Sequence, residues 1–176
     1  SEGWRRLGSI LAEADDDERA INCYTRAVRA DPHDLQSLLN LGVSYTNELD
    51  KVRALVYLRH WISSHPVYAN VLTDEQIQDY SFHMLHTEVM NAVNRIQESE
   101  NESDVDMIRG VLFHLVEDYQ HAINSFRRAV KKNPNDYTSW NKLGATHANC
   151  RESDKAIECY RRALKIRPNY LRAWVN

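Results

Sequence analysis

Small and apolar residues recur along this chain with a period of 34 residues. Each period holds two clusters in which these residues follow the three- and four-residue spacing of a helix face, so it predicts two helices, A and B, joined by a turn. Three columns of residues share the period. They are Gly8, Gly42, Gly110 and Gly144; Ala20, Ala54, Ala122 and Ala156; and Tyr24, Leu58, Phe126 and Tyr160.

Prolines mark the end of each pair of helices. Pro32, Pro66, Pro134 and Pro168 are separated by 34, 68 and 34 residues. Proline has no backbone N–H and disfavours the helical conformation of the residue before it, so helix B ends near this point. Glycine at position 8 and alanine at position 20 let helices A and B approach closely, as does position 27, which holds alanine in three of the four regular periods and Trp61 in the other. Large residues at positions 4, 7, 11 and 24 fill the space around them.

This pattern resembles the tetratricopeptide repeat. The resemblance implies an all-α solenoid, a right-handed superhelix of helix-turn-helix units, because one unit cannot bury its apolar face alone. We expect two repeats at residues 1–68, two more at 103–170 and the start of a further, truncated repeat at 171–176. Residues 69–102 occupy one whole period without the marker residues, so they are predicted to form a degenerate repeat that acts as an irregular helical hinge.

The helical pattern of the hinge rests on four residues. Tyr80, Met84, Val89 and Val93 recur at near-helical spacing, which predicts one apolar face. The residues that follow, ESENESDVD (98–106), are polar and acidic and almost without apolar residues. They predict a loop.

Asparagines recur at those positions of helix A that line the concave groove of such a solenoid. Asn47 and Asn149 lie three periods apart, both at position 13. An asparagine side chain offers one acceptor and two donors, the complement of a peptide bond. An extended peptide in a groove has no strand partner, so its backbone groups need such side chains or water. We therefore predict that these amides bind the backbone of an extended peptide.

Cations and small residues next to these amides complete the predicted site. Cations suit a terminal carboxylate, and small or apolar neighbours leave room for an apolar side chain of the peptide. The predicted amides are Asn47, Asn141, Asn149 and Asn176; the cations are Lys142 and Arg172; and the small or apolar neighbours are Val43, Thr46 and Ala145.

Composition and charge exclude several other classes of protein. With 22 Lys and Arg against 25 Asp and Glu, the formal charge is −3, so the chain has no basic field for nucleic acid. Three cysteines without metal-type spacing suit a reducing compartment, and we expect no metal and no cofactor. No 18-residue apolar run and no signal peptide occur, and the chain does not begin with Met, so we expect a fragment of a longer protein. The aspartates at 15–17 are expected to form a solvated turn.

Four strings are more specific than the repeat itself: VSYTNE (43–48), GVLFHL (110–115), NPNDYTSWNKLGATHAN (133–149) and NYLRAWVN (169–176). They are similar to the C-terminal domain of the peroxisomal targeting signal receptors, and the similarity covers nearly the whole chain. That family binds the C-terminal Ser-Lys-Leu-type tripeptide of peroxisomal matrix proteins in the cytosol and delivers these proteins to the peroxisome. The resemblance implies this function, a cytoplasmic location with cycling to the peroxisomal membrane or matrix, and cargo peptides as partners.

The resemblance also implies roles for single residues. Asn47, Asn141, Lys142, Asn149, Arg172 and Asn176 match family positions that contact the carboxylate, the backbone and the leucine pocket of the cargo, and Val43, Thr46 and Ala145 match positions around that pocket. His114 stands where the family commonly has asparagine. Docking proteins of the peroxisomal membrane are expected to bind through regions absent from this chain. We expect weaker cargo binding than in a complete domain, because Arg172 and Asn176 lie on a helix without its packing partner.

Two other binding modules remain open as alternatives. A co-chaperone module that binds the acidic C-termini of chaperones would use Arg5 and Asn40. However, Ser9 replaces the asparagine that it needs, and Asp74 would repel an acidic peptide. A generic repeat scaffold would instead bury apolar groove residues against a partner helix.

An enzyme is the alternative with the least support. His83, His86 and Glu88 could suggest a metal or a base, but they lie in the irregular segment without a matching set of ligands. Cys23 and Cys159 share position 23 next to the aromatic column, and we expect them to pack inside helix B rather than react.

Overall fold

The computed structural model describes residues 1–72, 81–96 and 102–176. Within these ranges the chain forms ten α-helices and one 3-10 helix but no strand, so the predicted all-α repeat fold is confirmed. The helices are α1 (Glu2–Glu13), α2 (Asp17–Ala30), α3 (Leu35–Asn47), α4 (Lys51–Ser64), α5 (Phe82–Arg95), α6 (Ser103–Leu115), α7 (Tyr119–Lys132), α8 (Tyr137–Asn149), α9 (Ser153–Ile166) and α10 (Leu171–Val175), with the 3-10 helix at Ala69–Val71. None of the helices in the described ranges is long and apolar enough to cross a membrane.

The chain divides into two compact units. The first comprises Ser1–Ala12 and Asp16–Gln97, and the second comprises Glu13–Asp15 and Glu98–Asn176. In the first unit α2 packs on α3 and α3 on α4, and α4 also contacts α5. In the second unit α6 packs on α7, α7 on α8 and α8 on α9, which contacts α10. Within each unit, helices that follow one another from α2 to α5 and from α6 to α10 are therefore in contact, as in stacked repeats.

The glycine at position 8 of each repeat lies where helix A approaches helix B most closely. A Cβ atom built on Gly110 would lie 2.5 Å from the ring of Phe126, which is fully buried. Carbon atoms pack at about 3.5 Å or more, so no side chain fits there. The predicted close approach of the two helices is confirmed. The same contact recurs between Gly8 and Tyr24 at 2.7 Å, between Gly42 and Leu58 at 2.5 Å, and between Gly144 and Tyr160 at 2.6 Å.

Among the helices that the structure describes, five have an aspartate that caps the N-terminus. The side chains of Asp16, Asp34, Asp50, Asp118 and Asp136 accept hydrogen bonds from backbone N–H groups two or three residues later. Each cap satisfies a donor that has no partner within the helix. At the other end, every B helix of a regular repeat stops two residues before its proline, as predicted.

The turn from helix A to helix B contains a left-handed residue that is not glycine. The backbone N–H of Leu49 donates to the carbonyl of Thr46, and the next N–H donates to the carbonyl of Tyr45. These are the hydrogen bonds of a Schellman C-cap, in which glycine is the preferred left-handed residue. Among the described residues, four that are not glycine adopt this conformation: Asp15 (φ 64°), Leu49 (φ 60°), Glu117 (φ 64°) and Arg151 (φ 59°).

Asp106 occupies a position where other repeats have tryptophan or leucine, and it is 1% exposed. Its carboxylate pairs with Arg109 at 3.0 Å, with Arg128 at 2.8 Å and with Lys132 at 2.7 Å. A carboxylate tolerates burial only where charges and hydrogen-bond donors compensate for lost water. Three cations of α6 and α7 therefore hold this carboxylate inside the second unit.

Two expectations for the central segment are wrong. Met84 is 55% exposed, and Leu85 takes its place on the buried face of α5 with Val89 and Val93, because residues 85, 89 and 93 follow the helical period more closely. Residues 103–106 form the first turn of α6 rather than a loop, since acidic residues suit a helix N-terminus. Tyr80, Asp74 and residues 98–101 lie outside the described residues.

Cys23 and Cys159 pack inside B helices, as the sequence predicts. Cys23 is 7% exposed in α2 and Cys159 is 6% exposed in α9, and both are free thiols. Burial raises the pKa of the Cys159 thiol to about 11. The thiolate, which is the reactive form, is therefore scarce at neutral pH.

Candidate peptide-binding site

Helix α8 and the chain segment at α10 bring two predicted amides into contact. The side-chain nitrogen of Asn176 donates to Oδ1 of Asn141 at 3.2 Å. Asn141 is 3% exposed, whereas Asn176 is exposed. The two amides come from helix A of consecutive repeats, so they form a polar link along the A helices of the second unit.

Arg172 lies in α10, four residues before Asn176, and is 8% exposed. Its guanidinium pairs with the carboxylate of Asp15 at 2.8 Å, and Asp15 belongs to the same compact unit. The sequence predicts a cation for a peptide carboxylate here. The structure places a cation there together with an internal carboxylate that the prediction did not include.

His114 occupies the end of α6 and faces α8. Its Nδ1 lies 3.4 Å from the hydroxyl of Thr146, and its ring packs edge-on against Tyr119 at 5.5 Å between centroids. The Thr146 hydroxyl also donates to the carbonyl of Lys142 at 2.8 Å. These contacts fix the imidazole beside Thr146, which follows the predicted pocket residue Ala145 in the sequence.

Asn149 ends α8 and is exposed, whereas Lys142 and Ala145 are half-buried. The turn after Asn149 is held by His147, which is 3% exposed and hydrogen-bonds through Nδ1 to Glu152. Hydrogen bonds from Lys155 and then from His147 lower the pKa of the Glu152 carboxyl. A charged network therefore anchors the end of α8 without using Asn149.

The first unit contains the other predicted residues, all of them in α3. The side-chain nitrogen of Asn47 donates to Oδ2 of Asp17 at 3.0 Å. Asp17 is the first residue of α2 and is 4% exposed. Thr46 is buried, and its hydroxyl donates to the carbonyl of Gly42 at 2.8 Å, while Val43 is half-buried.

The expectation of a solvated turn at residues 15–17 is therefore wrong for Asp17. Both Asp15 and Asp17 contact predicted site residues, and sequence reasoning missed both. The available signal was their position: Asp17 lies 30 residues before Asn47, close to one repeat period, so helix B of one repeat meets helix A of the next there.

Comparisons with known proteins identify the repeat and the relatives. Models of the tetratricopeptide repeat match residues 1–34 and 137–170. The chain is 44% identical to Peroxisome biogenesis protein 5 of Arabidopsis thaliana over 127 residues, 72% of this chain and 17% of that protein. It is 37% identical to the Peroxisomal targeting signal receptor of Yarrowia lipolytica over 100% of this chain and 31% of that protein. The receptor of the same name from Eremothecium gossypii is 32% identical over 99% of this chain and 31% of its own length.

A solved structure supports the fold. A thermophilic tetratricopeptide-repeat protein of Thermus thermophilus superposes with a TM-score of 0.54 at 15% identity, covering 99% of this chain and 95% of that protein. At this identity the likeness concerns the fold alone. The chain spans less than a third of the length of the three curated relatives above.

Proposed function

We propose that this chain, which belongs to the family of peroxisomal targeting signal receptors, binds the C-terminal Ser-Lys-Leu-type peptide of cargo proteins for import into peroxisomes. The observation that supports this most is the line of polar side chains along the A helices of the second unit. There Asn141 and Asn176 are hydrogen-bonded, and Arg172 and Lys142 lie on the same two helices.

The chemistry of these side chains suits the end of a polypeptide. An amide can donate to a peptide carbonyl and accept from a peptide N–H. A guanidinium has five N–H donors in a fixed fork, so Arg172 can serve a peptide carboxylate as well as Asp15. Charge-assisted hydrogen bonds of this kind are about twice as strong as neutral ones. The cations therefore recognise the chain end, while the amides hold the backbone that precedes it.

The remaining predicted residues take supporting roles in this proposal. Asn47 and Asn149, at equivalent positions of their repeats, bind the peptide backbone. Val43, Thr46 and Ala145 border the space for the C-terminal leucine of the cargo.

His114 is the one departure from the asparagine that the family commonly has at this position. A neutral imidazole has one N–H donor and one acceptor nitrogen, whereas an asparagine amide has two N–H donors and a carbonyl acceptor. We propose that it contacts the peptide through fewer hydrogen bonds than an asparagine would make there.

The wider role also belongs to the proposal. The relatives carry receptor names, and this chain covers only part of their length. We propose a binding rather than a catalytic function, in a receptor that cycles between the cytoplasm and the peroxisome and docks at its membrane through other regions.

A titration of a fluorescent peptide ending in Ser-Lys-Leu tests the proposal by anisotropy. We expect the C-terminally amidated peptide to bind more weakly than the free-acid peptide. We expect Asn149→Ala to lower the affinity for the free-acid peptide by up to about tenfold, which corresponds to the loss of one hydrogen bond. Asn124→Ala is the matched control, because Asn124 is an exposed asparagine on the B helix α7. If the amidated peptide binds as tightly as the free acid, the proposal that the site recognises the terminal carboxylate is wrong.

A further inference from the structure

We infer that Asp17 is a positioning residue that orients the Asn47 amide for peptide binding. The inference rests on the proposed function and adds to it a residue outside the predicted site. Asp17 does not need to touch the peptide for this role, because it acts through Asn47.

Asp17 differs from the acidic residues around it. Asp16 caps α2 by accepting from the backbone N–H of Arg19, and Glu18 is exposed, but Asp17 is 4% exposed. Its carboxylate turns toward α3, where Asn47 donates to it at 3.0 Å. A buried carboxylate costs free energy unless donors compensate for lost water, so the contact with Asn47 is favoured energetically.

The chemistry of a carboxylate decides which way the amide points. An ionised carboxylate accepts hydrogen bonds and donates none. The nitrogen of the Asn47 amide must therefore face Asp17, and the carbonyl oxygen of the amide must point to the other side of the group. An asparagine without such a partner can exchange the two ends by rotating about its last side-chain bond. Asp17 removes this choice before the peptide arrives, which lowers the entropy cost of binding.

The second unit provides an internal contrast. Asn149 stands at the position equivalent to Asn47, but the position equivalent to Asp17 holds Tyr119. Tyr119 packs against His114. Among the four regular repeats this position holds Asp17, Lys51, Tyr119 and Ser153, so only the first repeat has a carboxylate there. The two equivalent asparagines are thus held differently, and only Asn47 has its amide fixed in this way.

A double-mutant cycle on peptide affinity tests the inference. The variants are Asp17→Ala, Asp17→Asn, Asn47→Ala and the double variant Asp17→Ala/Asn47→Ala, titrated with the labelled Ser-Lys-Leu peptide. We expect Asp17→Ala to weaken binding about tenfold alone and less than twofold in the Asn47→Ala background, because there is no amide left to orient. Asp17→Asn retains an acceptor oxygen, and we expect it to stay within about threefold of the parent.

A control separates positioning from damage to the helix. Asp16→Ala removes the cap of the same helix without touching Asn47. We expect it to lower the melting temperature while leaving peptide affinity unchanged, and thermal unfolding of every variant identifies any that fails to fold.

Three outcomes overturn the inference. They are an unchanged affinity in Asp17→Ala, an equal loss in the presence and absence of Asn47, and an Asp17→Asn variant as weak as Asp17→Ala. If the parent binds no peptide, the proposed function fails and this inference fails with it. If the parent binds and the cycle shows no coupling, only the inference about Asp17 fails.

Discussion

Replacing Gly110 with alanine tests how closely helices A and B pack in the second unit. The new Cβ would lie 2.5, 2.6 and 2.8 Å from three carbons of the Phe126 ring, which is fully buried. To relieve this overlap, the Phe126 ring or one of the two helices must shift by about 1 Å, since carbon atoms prefer a separation of about 3.5–4.0 Å. Overpacking of this kind costs roughly 1–3 kcal/mol, and three short contacts with a confined ring place the cost near the upper end.

Helix propensity acts in the opposite direction. Alanine gains roughly 1 kcal/mol over glycine inside a helix, so the net loss for Gly110→Ala is about 2 kcal/mol. For a chain of this size that lowers the melting temperature by about 4–8 °C. Gly3→Ala is the matched control, because Gly3 lies in α1 and a Cβ atom added to it would have no heavy atom within 4 Å. We expect Gly3→Ala to unfold at the parent temperature or slightly above it.

Circular dichroism at 222 nm during heating measures both variants, and the Phe126→Ala background completes a double-mutant cycle. Without the ring, Gly110→Ala should stabilise by roughly 1 kcal/mol, because only the propensity gain remains. An unchanged or higher melting temperature for Gly110→Ala in the parent background would refute the packing argument.

Three further predictions concern stability. Asp106→Asn should lower the free energy of unfolding, measured in urea, by about 3–5 kcal/mol, because three cations lose their buried counter-charge. A decrease below about 1 kcal/mol would contradict this. Leu49→Gly should raise the free energy of unfolding by about 0.5–1 kcal/mol, since glycine adopts a φ of 60° without strain, and a decrease would show that the exposed leucine stabilises the turn. Burial alone raises the pKa of Asp34, but hydrogen bonds from the Ser37 backbone and from Arg5 outweigh burial and lower this pKa below 3.8. The stability that Asp34 contributes is therefore present above the unfolded-state pKa and is lost as the pH falls through the folded-state pKa. Arg5→Ala should raise the Asp34 pKa in an NMR titration, and an unchanged value would assign the shift to the hydrogen bonds from the backbone and hydroxyl of Ser37.

The 34-residue period determined the helices, their ends and their closest contacts. These features depend on residues near one another in sequence or one repeat unit apart. Proline ends a helix through its own covalent structure, and glycine at position 8 faces the large residue at position 24 of the same unit. The central segment lacks these markers, and there the sequence wrongly predicted that Met84 lies on the apolar face and that residues 103–106 form a loop.

The partners of the polar side chains were decided only by the tertiary structure. Asn47 meets Asp17, Asn141 meets Asn176, and Asp106 meets cations of two helices, although nothing in the period distinguishes these side chains from solvated ones. The reason is physical. A hydrogen bond or an ion pair needs its two groups within about 3 Å in a suitable orientation, and that depends on how neighbouring repeats stack and which rotamers remain open. An apolar position is identified by its spacing along one helix, whereas a polar contact is defined only when both partners are in place.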